Sequence, residues 1–154
     1  MKTTVNVSLK QIEDFLTNDA FVLFGVSRDK KKFGNTILKE LTGKGLKIYP
    51  IHREMEMLED IKCYKKLSSL PEKIDAAIIC TQAEKTIAIL EDLKSNGIKN
   101  VWLQRGSADM DIYRNFTGDF SNLIFNKCIL MFANQSGIHK FHSRILRFFG
   151  KYPR

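Results

Sequence analysis

One short stretch near the start of the chain limits the fold more than any other. The apolar residues 21–24 have the length of a β-strand, and the strand predicted over residues 21–26 runs into Gly25. A polar, lysine-rich loop follows, and Gly34 then precedes apolar residues at helical spacing in residues 37–41. Because a helix start presents free backbone N–H groups and the positive end of the helix dipole, this strand–glycine–helix unit predicts a binding site for phosphate.

Strand-like and helix-like patterns alternate along the rest of the chain. Further strands are predicted at residues 47–51, 75–80, 100–104 and 122–125. Helices are predicted at residues 9–16, 35–42, 82–96 and 110–116. Such alternation with short connections favours parallel β-α-β units. The sequence therefore predicts an α/β fold, a Rossmann-like, doubly wound and mainly parallel five-stranded sheet with extra N- and C-terminal helices.

The predicted domain organisation is a single domain over residues 1–154. Its parts are an N-terminal helix in residues 1–20, a Rossmann-like core in residues 21–132 and a basic amphipathic C-terminal helix in residues 133–154. Capping boxes are predicted at two helix starts, Ser8 with Gln11 and Thr81 with Glu84. The apolar spacing in residues 55–61 predicts a short helix or turn.

Charge and cysteine content limit the classes of protein. The formal net charge of +8 indicates an anionic partner, which could be nucleic acid, an acidic membrane surface or a polyphosphate ligand. No apolar run approaches the roughly 18 residues that a membrane span needs, and the N-terminus lacks the features of a secretory signal. The three cysteines have no paired spacing, which argues against a disulfide framework or zinc site and predicts a reducing, cytoplasmic location.

The candidate binding residues follow the predicted strands, because in doubly wound sheets the ligand lies beyond the carboxyl ends of the strands. They are Gly25, Val26, Ser27, Arg28, Lys32, Phe33, Gly34, His52, Arg53, Thr81, Gln82, Gln104 and Gly106. These residues include neither a carboxylate pair nor a nucleophile backed by a base. The sequence therefore predicts a binding protein rather than an enzyme, with no catalytic residue and no metal site.

The loops also limit the kind of nucleotide. Gly25 and Gly34 are nine positions apart, which does not match G-x-G-x-x-G, and no P-loop Gly-Lys-Ser/Thr follows. An NAD site would place an acid at the end of the second strand, whereas this chain has His52 and Arg53 there. A basic pair favours an adenosine that bears an extra phosphate, and both NADP and coenzyme A (CoA) meet that condition.

A wider pattern points to a family. Its elements occur in order as Val26-Ser27, Phe33-Gly34, residues 48–51, residues 63–71 and residues 101–104. Over about residues 21–132 the chain resembles the small bacterial CoA-binding domain proteins, which are stand-alone relatives of the CoA-binding domain of the succinyl-CoA synthetase α subunit. The resemblance implies a Rossmann-like domain that binds CoA or an acyl-CoA, with no reaction attached.

The resemblance also implies roles for individual residues. The pyrophosphate would contact Gly25, Val26 and Ser27, the adenosine side would lie near Phe33 and Gly34, and the pantetheine arm would pass Thr81, Gln82 and Gln104. Two departures from the family pattern stand out. His52-Arg53 replaces an asparagine–proline pair that members often have, and Thr81-Gln82-Ala83 replaces a loop that often carries an arginine and a proline.

The C-terminal segment supports a second hypothesis, in which the protein binds a partner through this segment. Apolar and basic residues alternate over residues 138–149 with helical spacing. We expect this helix to dock on its own domain, on a second copy in a homodimer or on a protein partner. Contact with a membrane surface stays open, since basic amphipathic helices also bind membranes, whereas no recognised nucleic-acid motif is present. The alternatives to a CoA-binding protein are thus a small NADP-dependent oxidoreductase or redox sensor, and a partner-binding module that uses this helix.

Overall fold

The computed structural model of the protein describes residues 4–133 of the 154-residue chain. The helices are α1 (Leu9–Leu16), α2 (Phe33–Gly43), α3 (Ala83–Ser95), α4 (Met110–Phe116) and α5 (Ile129–Ala133). The strands are β1 (Ala20–Phe24), β2 (Lys47–Ile51), β3 (Met57–Leu58), β4 (Ile61–Lys62), β5 (Ala76–Ile79), β6 (Asn100–Gln104) and β7 (Asn122–Lys127). The C-terminal helix predicted for residues 133–154 lies outside the described residues beyond Ala133.

Five of the strands form one parallel sheet in the order β2-β1-β5-β6-β7. The chain goes outward from β1 to β2, then returns past β1 to β5 and continues outward in the other direction. The strand order therefore reverses between β1 and β5, which is the topological switch point of the sheet. This topology confirms the predicted doubly wound, parallel α/β fold.

Helices cover both faces of the sheet. Leu23, Ile78 and Trp102 point to one face, where they pack with α1, α2 and α5. The alternate residues Val22 and Ile79 point to the other face, where they pack with α3 and α4. Burial on both faces explains why the central strands are apolar at nearly every position.

One local prediction was wrong, the capping box at the start of α3. Gln82, not Thr81, is the N-cap of α3, and the Thr81 hydroxyl lies 2.8 Å from the hydroxyl of Thr86 instead. Thr86 in turn donates a 2.6 Å hydrogen bond to the Ser107 carbonyl. Thr81 thus has a hydroxyl partner within the fold, whereas the capping box between Ser8 and Gln11 is confirmed.

Of the two alternatives predicted for residues 55–61, a short helix or a turn, the structure has the turn, which joins β3 and β4 in a small antiparallel hairpin. Glu59 at the turn has φ = 56°, a left-handed conformation that reverses the chain. Leu58 and Ile61 are paired across the hairpin and pack together against the core, so their spacing reflects a cross-strand pair. Two element ends differ from the prediction. The strand β1 ends at Phe24 and not at residue 26, and the helix α2 begins at Phe33, two residues before the predicted start.

Candidate functional site

The register of the sheet brings the predicted loops to one edge. Phe24 is paired with Ile51 on one side and Ile79 on the other, and Ile79 is paired with Leu103. The residues that follow these four lie side by side at the carboxyl end of the sheet, about 5 Å apart from one strand to the next. They are Gly25, His52, Cys80 and Gln104. The candidate binding residues therefore lie along the carboxyl edge, around the switch point.

Two glycines allow the turn after β1 to pack backbone against backbone. Gly25 has φ = 118°, and a Cβ at this position would lie 2.2 Å from the Cys80 carbonyl oxygen. A Cβ on Gly34 would lie 2.1 Å from the Gly25 carbonyl oxygen. Any side chain at either position would therefore push the elements apart. This contact holds the first turn of α2 directly against the end of β1.

Asn35, which sequence reasoning did not single out, fixes the loop between the two glycines. Its Oδ1 accepts a 2.8 Å hydrogen bond from the Ser27 backbone N–H, and its Nδ2 donates at 2.7 Å to the Ser27 carbonyl. The Ser27 hydroxyl accepts from the Asp29 backbone N–H. The backbone N–H and carbonyl of Ser27 are thus already bonded within the protein. The sequence signal that could have indicated these two bonds is the amide side chain of Asn35 in the first turn of α2.

The N-terminus of α2 is the strongest anion-attracting feature at this edge. Across residues 4–133, the Lys32 side chain does not cap the helix and the Phe33 and Gly34 backbone N–H groups have no hydrogen-bond partner. The first turn holds no acidic residue, whereas α3 carries Glu84 in its first turn. Four exposed basic side chains precede or begin the helix, namely Arg28, Lys30, Lys31 and Lys32. Phosphate is favoured here by the helix dipole and by side-chain charge together.

His52 and Arg53 form the next turn along the edge, at the end of β2. Nδ1 of His52 accepts hydrogen bonds from the backbone N–H groups of Glu54 at 3.1 Å and Met55 at 3.0 Å. The backbone N–H of His52 donates at 2.8 Å to the Tyr64 carbonyl. Arg53 is exposed and lies between the bonded residues. The His52 ring therefore holds the turn, and Arg53 is carried at its centre.

The loops after β5 and β6 differ in how they present their side chains. Gln82 is exposed, whereas Gln104 is only 3% exposed and its Oε1 accepts a 3.0 Å hydrogen bond from the Ile129 backbone N–H at the start of α5. Gly106, with φ = 88°, allows the tight turn that Ser107 closes by donating its N–H to the Gln104 carbonyl. The Gln104 side chain thus supports α5 from within, and its contact with a ligand stays a prediction.

Two further residues of the first loop contribute in different ways. The Val26 side chain is buried in the core, so only its backbone faces the edge. Phe33 is 44% exposed at the start of α2 and offers an apolar surface beside the free N–H groups. A planar apolar surface next to a phosphate site suits a nucleotide base, since bases stack on aromatic rings.

Cys80 lies at the switch point, immediately after β5. Burial, and to a smaller extent the nearby Cys128, raises the pKa of its thiol to about 11. Burial also raises the pKa of Cys63. Cys80 therefore stays a neutral thiol near pH 7. In the described part of the chain, no group of three or more His, Cys, Asp or Glu side chains is arranged to hold a metal ion.

Comparison with known proteins identifies the class to which this fold and edge belong. The family model for a CoA binding domain matches residues 19–134, which is most of the chain. The chain therefore belongs to the CoA-binding domain family. This finding confirms the predicted family, whereas the bacterial origin stays a prediction.

The curated relatives are much longer proteins. One is the α subunit of acetate–CoA ligase [ADP-forming] II from Pyrococcus furiosus, 29% identical over 91 residues. The match covers 58% of this chain but only 20% of that protein. The apo form of a dinucleotide forming acetyl-coenzyme A synthetase 1 from Ca. Korarchaeum cryptofilum matches at 25% identity with a TM-score of 0.61, over 73% of this chain and 27% of that one.

A solved structure of similar size shows the same fold. It is a hypothetical protein from Pyrococcus horikoshii OT3, with a TM-score of 0.74 at 21% identity. The match covers 95% of this chain and 99% of that one. Within residues 4–133, no helix combines the length and the apolar character that crossing a membrane requires.

Gly34→Ala tests the backbone contact between α2 and β1. We expect the free energy of unfolding to fall by about 1–3 kcal/mol or more, because the added methyl group meets a carbonyl oxygen that cannot move aside. Gly43→Ala is the matched control in the same helix, since nothing lies within 4 Å of a Cβ there. The control should raise stability by up to about 1 kcal/mol through helix propensity. Urea denaturation measures both variants, and equal effects would contradict the contact.

The raised pKa of Cys80 predicts slow alkylation of the folded protein. Iodoacetamide reacts with the thiolate, which is scarce at pH 8 when the pKa is about 11. The contribution of Cys80 to the free energy of unfolding is fully present below the ordinary cysteine pKa, where the thiol is neutral in both states. This contribution is lost as the pH rises towards 11, because the unfolded chain loses the proton first. Peptide mapping by mass spectrometry should show that Cys80 is modified faster in urea than in the folded state, and that the folded-state rate rises with pH. Equal rates in both states at pH 8 would contradict the assignment.

Proposed function

We propose that this protein binds CoA or an acyl-CoA and acts as a non-catalytic binding or regulatory protein of the cytoplasm. The observation that carries the proposal is the N-terminus of α2, where two backbone N–H groups that have no partner in residues 4–133 lie next to a cluster of exposed basic side chains beside the switch point. Membership of the CoA-binding domain family supports the choice of ligand. Two longer relatives carry CoA in their names, an acetate–CoA ligase subunit and an acetyl-coenzyme A synthetase.

The order of the loops along the edge suggests how the ligand would lie. The pyrophosphate would bind at the start of α2, close to Gly25 and Gly34. The 3′-phosphoadenosine would lie towards β2, where Arg53 supplies positive charge and Phe33 an apolar surface. The pantetheine arm would then run in the opposite direction, past the loops after β5 and β6. A CoA molecule laid out in this way uses both sides of the switch point.

The non-catalytic part of the proposal rests on the chemistry of the edge. Apart from the neutral Cys80 thiol and the Phe33 ring, the side chains described at this edge are mainly basic, amide and hydroxyl groups, and several already hold the loops, as with Gln104 and Thr81. Groups of this kind bind and orient a ligand, and within residues 4–133 none of the hydroxyl or thiol groups at this edge is hydrogen-bonded to a carboxylate or a histidine that could activate it as a nucleophile. Binding of a second copy or of a protein partner through residues 133–154 stays a prediction.

Isothermal titration with CoA, dephospho-CoA, NADP and NAD tests the proposed ligand. We expect CoA to bind most tightly and dephospho-CoA more weakly, since dephospho-CoA lacks the 3′-phosphate. NADP and NAD should bind weakly or not at all. Tight binding of NADP with no heat from CoA would instead support a small NADP-dependent oxidoreductase or redox sensor.

Arg53→Ala tests recognition of the 3′-phosphate. We expect the affinity for CoA to fall about 10- to 100-fold, since a charge-assisted hydrogen bond contributes about 1.5–3 kcal/mol. Affinity for dephospho-CoA should change by less than about twofold. Lys99→Ala is the matched control, because it removes one exposed positive charge just before β6, at the opposite edge of the sheet. Equal weakening of CoA and dephospho-CoA by Arg53→Ala would contradict a phosphate contact.

A further inference from the structure

We propose that His52 is a positioning residue. Its unprotonated Nδ1 holds the turn of residues 52–55 so that Arg53 meets the 3′-phosphate of CoA. The inference rests on the proposed function and gives His52 and Arg53 different roles. Arg53 supplies the charge and contacts the phosphate. His52 acts through Arg53 and carries no charge in this role.

The hydrogen bonds of the His52 ring define its protonation. Two backbone N–H groups, those of Glu54 and Met55, point at Nδ1 from 3.1 Å and 3.0 Å. A nitrogen that accepts such bonds carries no hydrogen, so the ring proton of the neutral histidine lies on Nε2. A doubly protonated ring would direct an N–H at two other N–H groups and would lose both bonds. The positive charge of this turn therefore belongs to Arg53.

The same bonds determine where Arg53 lies. The turn is anchored at one end by the His52 backbone N–H, which donates to the Tyr64 carbonyl, and by Tyr64, which donates to the Pro50 carbonyl. At the other end Met55 is only 4% exposed and packs in the core. The His52 ring bridges these two ends. Arg53 lies in the chain between the two ends that the His52 ring joins. The direction of the Arg53 backbone is therefore set by the hydrogen bonds of His52 and not by a contact of Arg53 itself.

Arg53 is in a position to meet an anion. It is exposed, and it forms no ion pair with another residue in the described range 4–133. His52 leaves the sheet beside Gly25, about 5 Å away, since Phe24 and Ile51 are paired. The turn therefore lies next to the loop that leads to α2. An arginine in this place can reach a phosphate on the ribose of an adenosine whose pyrophosphate is bound at α2.

Three substitutions of His52 separate positioning from direct contact. Asparagine has its Oδ1 the same number of bonds from the backbone as Nδ1 of histidine, so His52→Asn retains an acceptor for the two N–H groups. Glutamine places its amide further out, near the location of Nε2. His52→Ala removes both. The ratio of the dissociation constants for dephospho-CoA and CoA, measured by titration, reports recognition of the 3′-phosphate in each variant.

If His52 positions Arg53, His52→Asn should keep this ratio within about twofold of the unaltered protein. His52→Gln and His52→Ala should reduce the ratio about tenfold, in the direction of Arg53→Ala. The double variant His52→Ala/Arg53→Ala should discriminate no worse than Arg53→Ala alone, because His52 would act only through Arg53. Urea denaturation of each variant verifies that the fold is retained.

Other results would overturn the inference. If His52→Gln kept the ratio and His52→Asn lost it, Nε2 would contact the phosphate directly. If His52→Ala lowered stability and left the ratio unchanged, the role would be structural only. If the unaltered protein did not bind CoA at all, the proposed function would fall, whereas CoA binding with the wrong order of variants would overturn this inference alone.

The tautomer gives a test that needs no ligand. The chain has three histidines, so the His52 signals can be assigned by their loss in His52→Asn. A long-range proton–nitrogen NMR spectrum at neutral pH should report Nε2 as the protonated nitrogen and Nδ1 as the unprotonated one. A proton on Nδ1 would overturn the assignment, because the bonds to Glu54 and Met55 could not then form.

Discussion

The close approach of three backbone segments determines the rest of the candidate site. Gly25 lies against the Cys80 carbonyl, and Gly34 lies against the Gly25 carbonyl, each too close for a Cβ. The first contact joins the ends of β1 and β5 at the switch point, and the second brings the start of α2 to the same place. Because free N–H groups are aimed by the helix axis, the position of this turn decides where an anion can bind. The surrounding basic residues add charge to a site that the backbone has already placed.

The polar side chains around this edge serve mainly to hold loops in place. Asn35 bonds the loop after β1, His52 bonds the turn after β2, Thr86 joins the loops after β5 and β6, and Gln104 holds the start of α5. Each bond satisfies a backbone group that would otherwise be left without a partner where the chain leaves the sheet. The groups left to meet a ligand then include backbone N–H groups, exposed basic side chains, and the exposed Phe33 and Gln82. Because the loops are already held by these hydrogen bonds, the binding edge is rigid, and little conformational entropy is lost in ordering the loops when a ligand binds.

The fold could be predicted from the sequence because its signals are local and repeated. Apolar runs of strand length, such as residues 75–80, alternate with amphipathic helices, and short connections leave few topologies open. The partners of single polar groups could not be predicted in this way. Thr81 matched a capping box, but its hydroxyl meets Thr86, and the acceptor role of His52 depends on where the chain turns after β2. Asn35 was missed for the same reason, since its partner Ser27 lies across a loop whose shape no periodic pattern encodes.

The resemblance drawn from the sequence implies an asparagine and a proline at the two positions after β2 where this chain has His52 and Arg53. Asparagine commonly folds a turn by accepting backbone N–H groups two or three residues ahead with its side-chain oxygen. His52 forms the same kind of bond with Nδ1, to Glu54 and Met55. Proline would fix the backbone of the next position but bring no charge. With His52 holding the turn, the position after it carries an arginine, which adds a positive charge beside the start of α2.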